Sequence, residues 1–183
     1  ATPRWKWLSD FPEMNVRTYV RDRRNSGVWF FSLDATQPLA VWAARTFFSL
    51  PYRNAAIDCY WDHSNNTPWH YYSSKVEEVG QGSPHDRPCF AGRYRPIEPA
   101  ILSQPGSLEY FLSERYWLFA QKGQRLLKAR IHHVPWPLQK AEVEIQSCHI
   151  MEAFGIGDLS WRPDTVHFAK KLSVTSWPLQ YAE

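Results

Sequence analysis

Residues 130–139 read Arg-Ile-His-His-Val-Pro-Trp-Pro-Leu-Gln, with two histidines, two prolines and a tryptophan in ten positions. Each proline fixes its own φ and holds the preceding residue extended, so Val134 and Trp136 cannot be helical. The run before them, residues 125–133, predicts a strand that ends at this stiff corner. Polar side chains beside a rigid turn suit a binding site. The same pattern is also typical of surface histidines on a proline-stiffened corner.

The length and charge limit the class of protein. A chain of 183 residues suits a single domain over residues 1–183 with a sizeable core. Four arginines lie within residues 17–24, but the net charge is only +3. Arginines on strands and loops usually form a solvated face or ion pairs, so we predict no nucleic-acid partner.

The cysteine count and the hydropathy also exclude several classes. The three cysteines, Cys59, Cys89 and Cys148, are odd in number and widely spaced, which argues against a disulfide framework and a zinc site. They favour a reducing compartment, either the cytoplasm or an organelle interior. No apolar run approaches about 20 residues, so no membrane span is predicted. No metal, cofactor or catalytic motif stands out, and the catalytic residues are unknown.

Hydrophobic periodicity predicts mostly strands joined by hairpins. Helices are expected at residues 38–50, with Asp34 or Thr36 as the cap, and at residues 108–113 after the cap Ser107. A third short helix is expected at residues 147–154, closed by Gly155. The predicted strands are residues 14–20, 28–33, 54–61, 69–75, 89–94, 117–120, 125–133, 140–146, 165–168 and 172–177. The expected fold is α+β and mainly antiparallel, a curved sheet or an open barrel with a few helices.

Two predicted strands carry a polar face. Alternation places Asn15, Arg17 and Tyr19 on one face of the first strand. It places Lys128, Arg130 and His132 together on the strand before the corner. These faces would line a central cavity if helices cover the sheet from outside, and would face water in a one-layer sheet.

Five segments together resemble a known family. They are residues 11–20 (Phe-Pro-Glu-Met-Asn-Val-Arg-Thr-Tyr-Val), 28–34 (Val-Trp-Phe-Phe-Ser-Leu-Asp), 44–48 (Ala-Arg-Thr-Phe-Phe), 106–116 (Gly-Ser-Leu-Glu-Tyr-Phe-Leu-Ser-Glu-Arg-Tyr) and 131–139 (Ile-His-His-Val-Pro-Trp-Pro-Leu-Gln). In order and spacing they resemble the YqjF-like family of uncharacterised bacterial proteins, within the acetoacetate decarboxylase-like superfamily. The resemblance implies a cone-like antiparallel β-barrel with outer helices and an internal pocket.

The resemblance also bears on partners. Members of the family usually carry several dozen residues before the Phe-Pro-Glu-x-Asn segment, whereas ten residues precede Phe11 here. We therefore expect the opening strands of the barrel to be missing from residues 1–183. An open seam exposes unpaired strand edges, so another protein chain, a second copy or an N-terminal piece is expected to cover it.

Decarboxylases of the superfamily form a Schiff base on a lysine of an aromatic-Pro-Lys-Lys pattern. The similar place here is Trp136-Pro137-Leu138-Gln139. The resemblance therefore puts Leu138 where the nucleophile would be, and Lys140 is expected to be a surface lysine. We predict no Schiff-base decarboxylation.

Three hypotheses of function follow. The first is a pocket protein that binds a small organic acid or an apolar ligand without that chemistry. The second is a structural or accessory subunit of a larger complex, with the barrel as scaffold. The third is a lyase or hydrolase that uses His132 and Arg17. Arg17, Tyr19 and His132 are expected to approach one cavity, and the candidate ligand-binding residues are Asn15, Arg17, Tyr19, Arg45, Arg130 and His132.

Overall fold

The computed structural model describes residues 11–62, 68–76, 90–155 and 162–182. The described helices are α1 (Pro38–Phe48) and α2 (Leu108–Ser113), and a 3-10 turn covers Glu152–Phe154. Neither helix is long and apolar enough to cross a membrane. The described strands are β1 (Glu13–Arg21), β2 (Ser26–Ala35), β3 (Tyr52–Asp62), β4 (Trp69–Val76), β5 (Phe90–Pro96), β6 (Ile101–Leu102), β7 (Trp117–Lys122), β8 (Arg125–His132), β9 (Pro137–Cys148), β10 (His167–Phe168), β11 (Thr175–Ser176) and β12 (Gln180–Tyr181).

These strands form one mixed but mainly antiparallel sheet, as the sequence predicts. Its order is β10-β9-β5-β4-β3-β2-β7-β8-β11, with β1 beside β2, β12 beside β8 and β6 beside β9. The parallel pairs in the described part are β2 with β3 and β2 with β7. The described strands do not close into a barrel. Of the two expected architectures, a curved sheet and a barrel, the described part therefore has an open sheet.

Strand β2 is the branch point of the sheet. Strand β1 pairs along its whole length, while β7 meets Val28 and Trp29 and β3 meets the segment from Leu33 to Ala35. Because β1 occupies one edge of β2, β7 and β3 both pair with the other edge of β2. They pair with different residues there and diverge from each other. A Cβ on Gly27 would lie 2.2 Å from the Trp117 carbonyl oxygen, so only glycine lets β7 approach so closely. Beside this junction lies a core cluster of Val28, Leu118 and Ala129.

The hairpins β1–β2, β3–β4 and β7–β8 form as predicted. The polar turn after Asp62 and most of the loop before β5 lie outside the described residues. Helix α2 has its predicted bounds, and the Ser107 hydroxyl accepts a hydrogen bond from the Tyr110 N–H at 3.1 Å.

The predicted cap of α1 is wrong. Gln37 caps the helix, because its side-chain oxygen accepts from the Leu39 N–H at 3.3 Å. Asp34 is fully buried in β2 instead, where the Arg53 guanidinium holds both of its oxygens at 2.6 and 2.8 Å.

The chain after the corner also differs from the expectation. Strand β9 begins at Pro137, so the stiff corner is limited to residues 133–136. The helix predicted at residues 147–154 is wrong, because β9 continues to Cys148 while it pairs with β5. Only the 3-10 turn follows, and Gly155 closes it with φ 65°, a conformation that favours glycine.

Candidate functional site

The stiff corner is fastened to the end of α2 by one buried carboxylate. Glu114 follows α2 and is 6% exposed. Its Oε1 accepts the backbone N–H of Trp136 at 3.0 Å, and its Oε2 accepts the Tyr116 hydroxyl at 2.5 Å. The Ser113 hydroxyl oxygen lies 3.3 Å from Oε1 and donates its proton to the Glu109 carbonyl oxygen at 2.7 Å. Glu114 therefore positions the corner against the segment from α2 to β7.

His133 fills the space between these two segments. It is 4% exposed, and its ring stacks on Tyr116 and meets Trp136 edge-on. Its Nδ1 lies 2.8 Å from the Val134 carbonyl oxygen, and its Nε2 lies 3.1 Å from the Arg115 carbonyl oxygen. A carbonyl oxygen only accepts, and a neutral imidazole has one N–H to donate. Both ring nitrogens of His133 face carbonyl oxygens, and these two contacts fix the orientation of the ring.

A cavity of about 300 Å³ lies between the corner, α2 and the inner face of the sheet; we call it the corner cavity. Its walls are mostly apolar, with Val28, Phe30, Leu118 and Ile131 from β2, β7 and β8. The polar groups come from a few side chains at one side. The remaining lining residues are Arg17, Leu112, Ser113, Arg115, His133, Trp136, Val174 and Ser176.

Two N–H donors at this cavity are buried without a described acceptor. They are the Nε of Arg115 and the Nε1 of Trp136. A buried donor that lacks a partner costs about 1–3 kcal/mol. Both atoms are too deeply buried for a ligand in the cavity to touch, so their cost belongs to the packing of the corner.

The positive charge at the cavity is not balanced within the described part of the chain. The guanidinium carbons of Arg17 and Arg115 lie 5.8 and 5.5 Å from the centre of the Tyr19 ring. Arg17 and Tyr19 both donate to the Leu112 carbonyl oxygen, at 3.3 and 2.8 Å. No described carboxylate forms an ion pair with either arginine, and Glu114 is already engaged. Two guanidinium groups beside one ring favour an anion.

Two further cavities continue along α2. The middle cavity, of about 250 Å³, shares Arg17, Leu112, Ser113 and Trp136 with the corner cavity. The outer cavity, of about 390 Å³, shares Glu109, Leu138, Thr165 and His167 with the middle one. The three cavities therefore adjoin one another along α2, and we call this row of cavities the groove.

The structure brings together two of the residues predicted to bind a ligand. Arg17 and Tyr19 both line the middle cavity, and Arg17 reaches the corner cavity. Asn15 is exposed on β1 and is not among the lining residues of the groove. Arg45 lies elsewhere, on α1, where its Nε donates to the Tyr52 carbonyl oxygen at 2.6 Å.

Arg130 and His132 do not meet Arg17 as expected. Both are exposed, and the intervening Ile131 lines the corner cavity. Because side chains alternate along β8, its inner face carries Ile131, and Arg130 and His132 point to the opposite face. His133, one residue later, lines the cavity in the place expected for His132.

The sequence interpretation missed Arg115 and Trp136. Arg115 is the second residue after α2, and its guanidinium carbon lies 4.2 Å from the centre of the Phe111 ring, a contact that no strand or helix period predicts. Trp136 could have been predicted as a wall of the site, because it lies between the two prolines of the corner. A large aromatic residue held in a fixed extended conformation is a good wall for a cavity.

Leu138 faces the groove. It is 8% exposed and lines both the middle and the outer cavity. Lys140 also borders the outer cavity, but its side chain is 64% exposed and pairs with Glu98 at 3.5 Å. The described residues contain no cluster of three or more histidine, cysteine, aspartate or glutamate side chains that could hold a metal ion.

Comparisons with known proteins agree with this architecture. A family model described as "Uncharacterized conserved protein" matches residues 1–173. The chain is 39% identical over 170 residues to the uncharacterized protein YqjF of Bacillus subtilis (strain 168). The matched region covers 93% of this chain and 66% of that protein. The chain therefore spans slightly less than two thirds of its relative.

Among solved structures, the fold is similar to that of an acetoacetate decarboxylase from Legionella pneumophila subsp. pneumophila. The TM-score is 0.51 at 12% identity, over 94% of this chain and 64% of that one. The enduracididine biosynthesis enzyme MppR, complexed with pyruvate, matches with a TM-score of 0.49 at 9% identity, over 93% and 62%. The likeness to the decarboxylase shows an acetoacetate decarboxylase-like fold.

Proposed function

Since the chain belongs to the DUF2071 family of uncharacterised conserved proteins, we propose that it binds a small organic acid in the corner cavity without forming a covalent bond to it. The ligand's carboxylate meets the guanidinium groups of Arg17 and Arg115, and its apolar body lies against β2, β7 and β8. The observation that carries this proposal is an apolar cavity lined by Arg17 and Arg115, two arginines without a described carboxylate partner.

A carboxylate suits this place better than a neutral acceptor. Arg17 and Arg115 have no described carboxylate partner, so an anionic ligand supplies the missing counter-charge. The stacking of Arg115 over Phe111 and Tyr19 holds its planar group in place before a ligand arrives. A pre-positioned guanidinium loses less freedom on binding, and its planar donor array matches a carboxylate.

The apolar walls favour a ligand with a hydrocarbon body. Val28, Phe30, Leu118 and Ile131 offer no hydrogen-bonding side-chain groups to a polar ligand. A cavity of about 300 Å³ is at the small end of the range for ligand pockets. Hexanoate and benzoate are therefore suitable probes.

The test is calorimetric titration with hexanoate and benzoate, against hexanamide and benzamide as neutral matches. We expect the acids to bind, the amides to bind at least about tenfold more weakly, and Arg115→Gln to lose a similar factor. Arg130→Gln is the matched control, because Arg130 is exposed on the opposite face of β8. Thermal melts verify that each variant is folded. Equal binding of acids and amides, or an equal loss in both variants, contradicts the proposal.

The absence of Schiff-base chemistry is a separate part of the proposal. A Schiff base needs an amine whose pKa is lowered by burial or by a nearby cation. Leu138 supplies no amine, and the Lys140 ammonium is exposed and paired with Glu98. Borohydride reduction in the presence of acetoacetate, followed by peptide mass spectrometry, should leave every lysine unmodified. A reduced adduct on Lys140 or another lysine would overturn this part.

A second candidate function, that of a subunit in a larger assembly, is favoured by one surface. Helix α1 buries only Val41, and it exposes Leu39, Trp42 and Phe47 at 54%, 60% and 67%. We propose that a second protein chain covers this face, because large apolar side chains clustered at a surface often mark an interface. Native mass spectrometry of the chain expressed alone tests it. A stable monomer that melts cooperatively counts against a subunit role.

A further inference from the structure

A second polar cluster lies away from the corner, on the wall that the middle and outer cavities share. His167 Nε2 lies 3.9 Å from Glu109 Oε1, and the Thr165 hydroxyl lies 3.3 Å from His167 Nδ1. All three side chains line both cavities. Residues 109 and 165–167 come from α2 and from the segment that enters β10, so the fold assembles this cluster from distant parts of the chain.

Glu109 brings a negative charge to this cluster. Hydrogen bonds from its own backbone N–H and from Ser107 hold the pKa of Glu109 below its ordinary value. Within the described residues its ion-pair contact is the long one to His167. Lys140, which borders the outer cavity, pairs with Glu98 instead. Glu109 is therefore open to a cation.

A further polar atom in the outer cavity lacks a partner. The hydroxyl oxygen of Ser103 is buried and has no hydrogen-bond partner in the described part of the chain, and Ser103 lines that cavity. A hydroxyl oxygen also accepts a hydrogen bond, although a weaker one than an ionised carboxylate does. Ser103 and Glu109 together offer acceptors to a group that donates several hydrogen bonds.

Arg115 lines the corner cavity, Arg17 lines the corner and middle cavities, and Glu109 lines the middle and outer cavities, so the charge changes sign along the groove. We propose that the ligand is an amino-substituted organic acid, whose carboxylate lies at Arg17 and Arg115 and whose ammonium group lies at Glu109 and Ser103. This inference rests on the proposed function and adds the chemical class of the ligand's second end. An ammonium group donates three hydrogen bonds, which suits a site built of acceptors.

The experiment compares straight-chain acids with their terminal amines. Calorimetric titrations pair butyrate with 4-aminobutyrate, hexanoate with 6-aminohexanoate, and octanoate with 8-aminooctanoate. At one chain length we expect the amino acid to bind about tenfold more tightly than its parent. An ammonium group in an apolar cavity would weaken binding instead, so a gain in affinity identifies a specific site.

Variants test this inference separately from the proposed binding of a small organic acid. Glu109→Gln should abolish the advantage of the amine, judged against the affinity of the same variant for the parent acid. Asp58→Asn, a matched change at an exposed position on β3, should leave both unchanged. An amine that weakens binding at every length, or an advantage that survives Glu109→Gln, overturns the inference alone. If the parent acids also fail to bind, the proposed function falls with it.

Discussion

Replacement of Glu114 by glutamine should loosen the corner on which the site depends. The carboxylate accepts two hydrogen bonds, from the Tyr116 hydroxyl and the Trp136 N–H. A hydrogen bond to a charged acceptor contributes about 1.5–3 kcal/mol, against about 0.5–1.5 kcal/mol for a neutral one. Glutamine keeps one oxygen that can accept a hydrogen bond. It loses the negative charge that strengthens the bonds from Tyr116 and Trp136. We therefore expect the free energy of unfolding to fall by about 2 kcal/mol.

Glu114→Ala should cost more, because it leaves the buried Trp136 N–H without an acceptor. The expected loss of unfolding free energy is about 4 kcal/mol. Urea unfolding measures both values, and a thermal melt should show a drop of about 4–8 °C for the glutamine variant. Glu144→Gln is the control: its carboxylate is half-exposed and paired with Arg93, and such surface pairs contribute about 0–1 kcal/mol.

Tyr116 gives an independent reading of the same contact. The hydrogen bond to Glu114, with some burial, raises the pKa of Tyr116 to about 12. A phenol with a raised pKa contributes stability that is complete below its ordinary value of 10.0, and that stability is lost as the pH rises through about 12. The wild-type protein should therefore lose more unfolding free energy than Tyr116→Phe between these pH values. The reasoning is refuted if Glu114→Gln is as stable as the wild type and if Tyr116 in the wild type titrates at its ordinary pKa.

Two further substitutions test the frame of the sheet. Asp34→Asn should lower the unfolding free energy by about 3–5 kcal/mol, because Arg53 would lose the partner of a buried ion pair, and an unchanged urea midpoint would argue against the pair. Gly27→Ala should lower it by about 1–3 kcal/mol, since the new methyl group meets the Trp117 carbonyl oxygen; unimpaired stability would mean that β7 does not approach β2 so closely.

Local features of the fold could be predicted from sequence because their causes are local. Helix α2 begins after Ser107 because a serine hydroxyl accepts a backbone N–H of the first turn. The same signals were misleading at Asp34, which is also a good cap. Its partner Arg53 lies in a different strand, and no sequence period indicates that a carboxylate will be buried with it.

The site depends on information that alternation does not contain. Alternation separates Arg130 and His132 from Ile131 and His133, but it does not say which set faces the cavity. The neighbouring strands decide this, because Ala129 packs against Val28 and Leu118 in the core. Arg115 was missed for a similar reason, since its direction depends on the stacking over Phe111.

The most direct test of the central claim is a crystal structure with bound 4-bromobenzoate, using the anomalous signal of bromine to locate the ligand. The proposed function predicts the bromine among the side chains of β2, β7 and β8. It also predicts a carboxylate oxygen within hydrogen-bond distance of the guanidinium group of Arg17 or Arg115. A bromine peak outside the groove, a reversed ligand with its carboxylate among the apolar side chains, or an empty cavity at saturating ligand would contradict the claim.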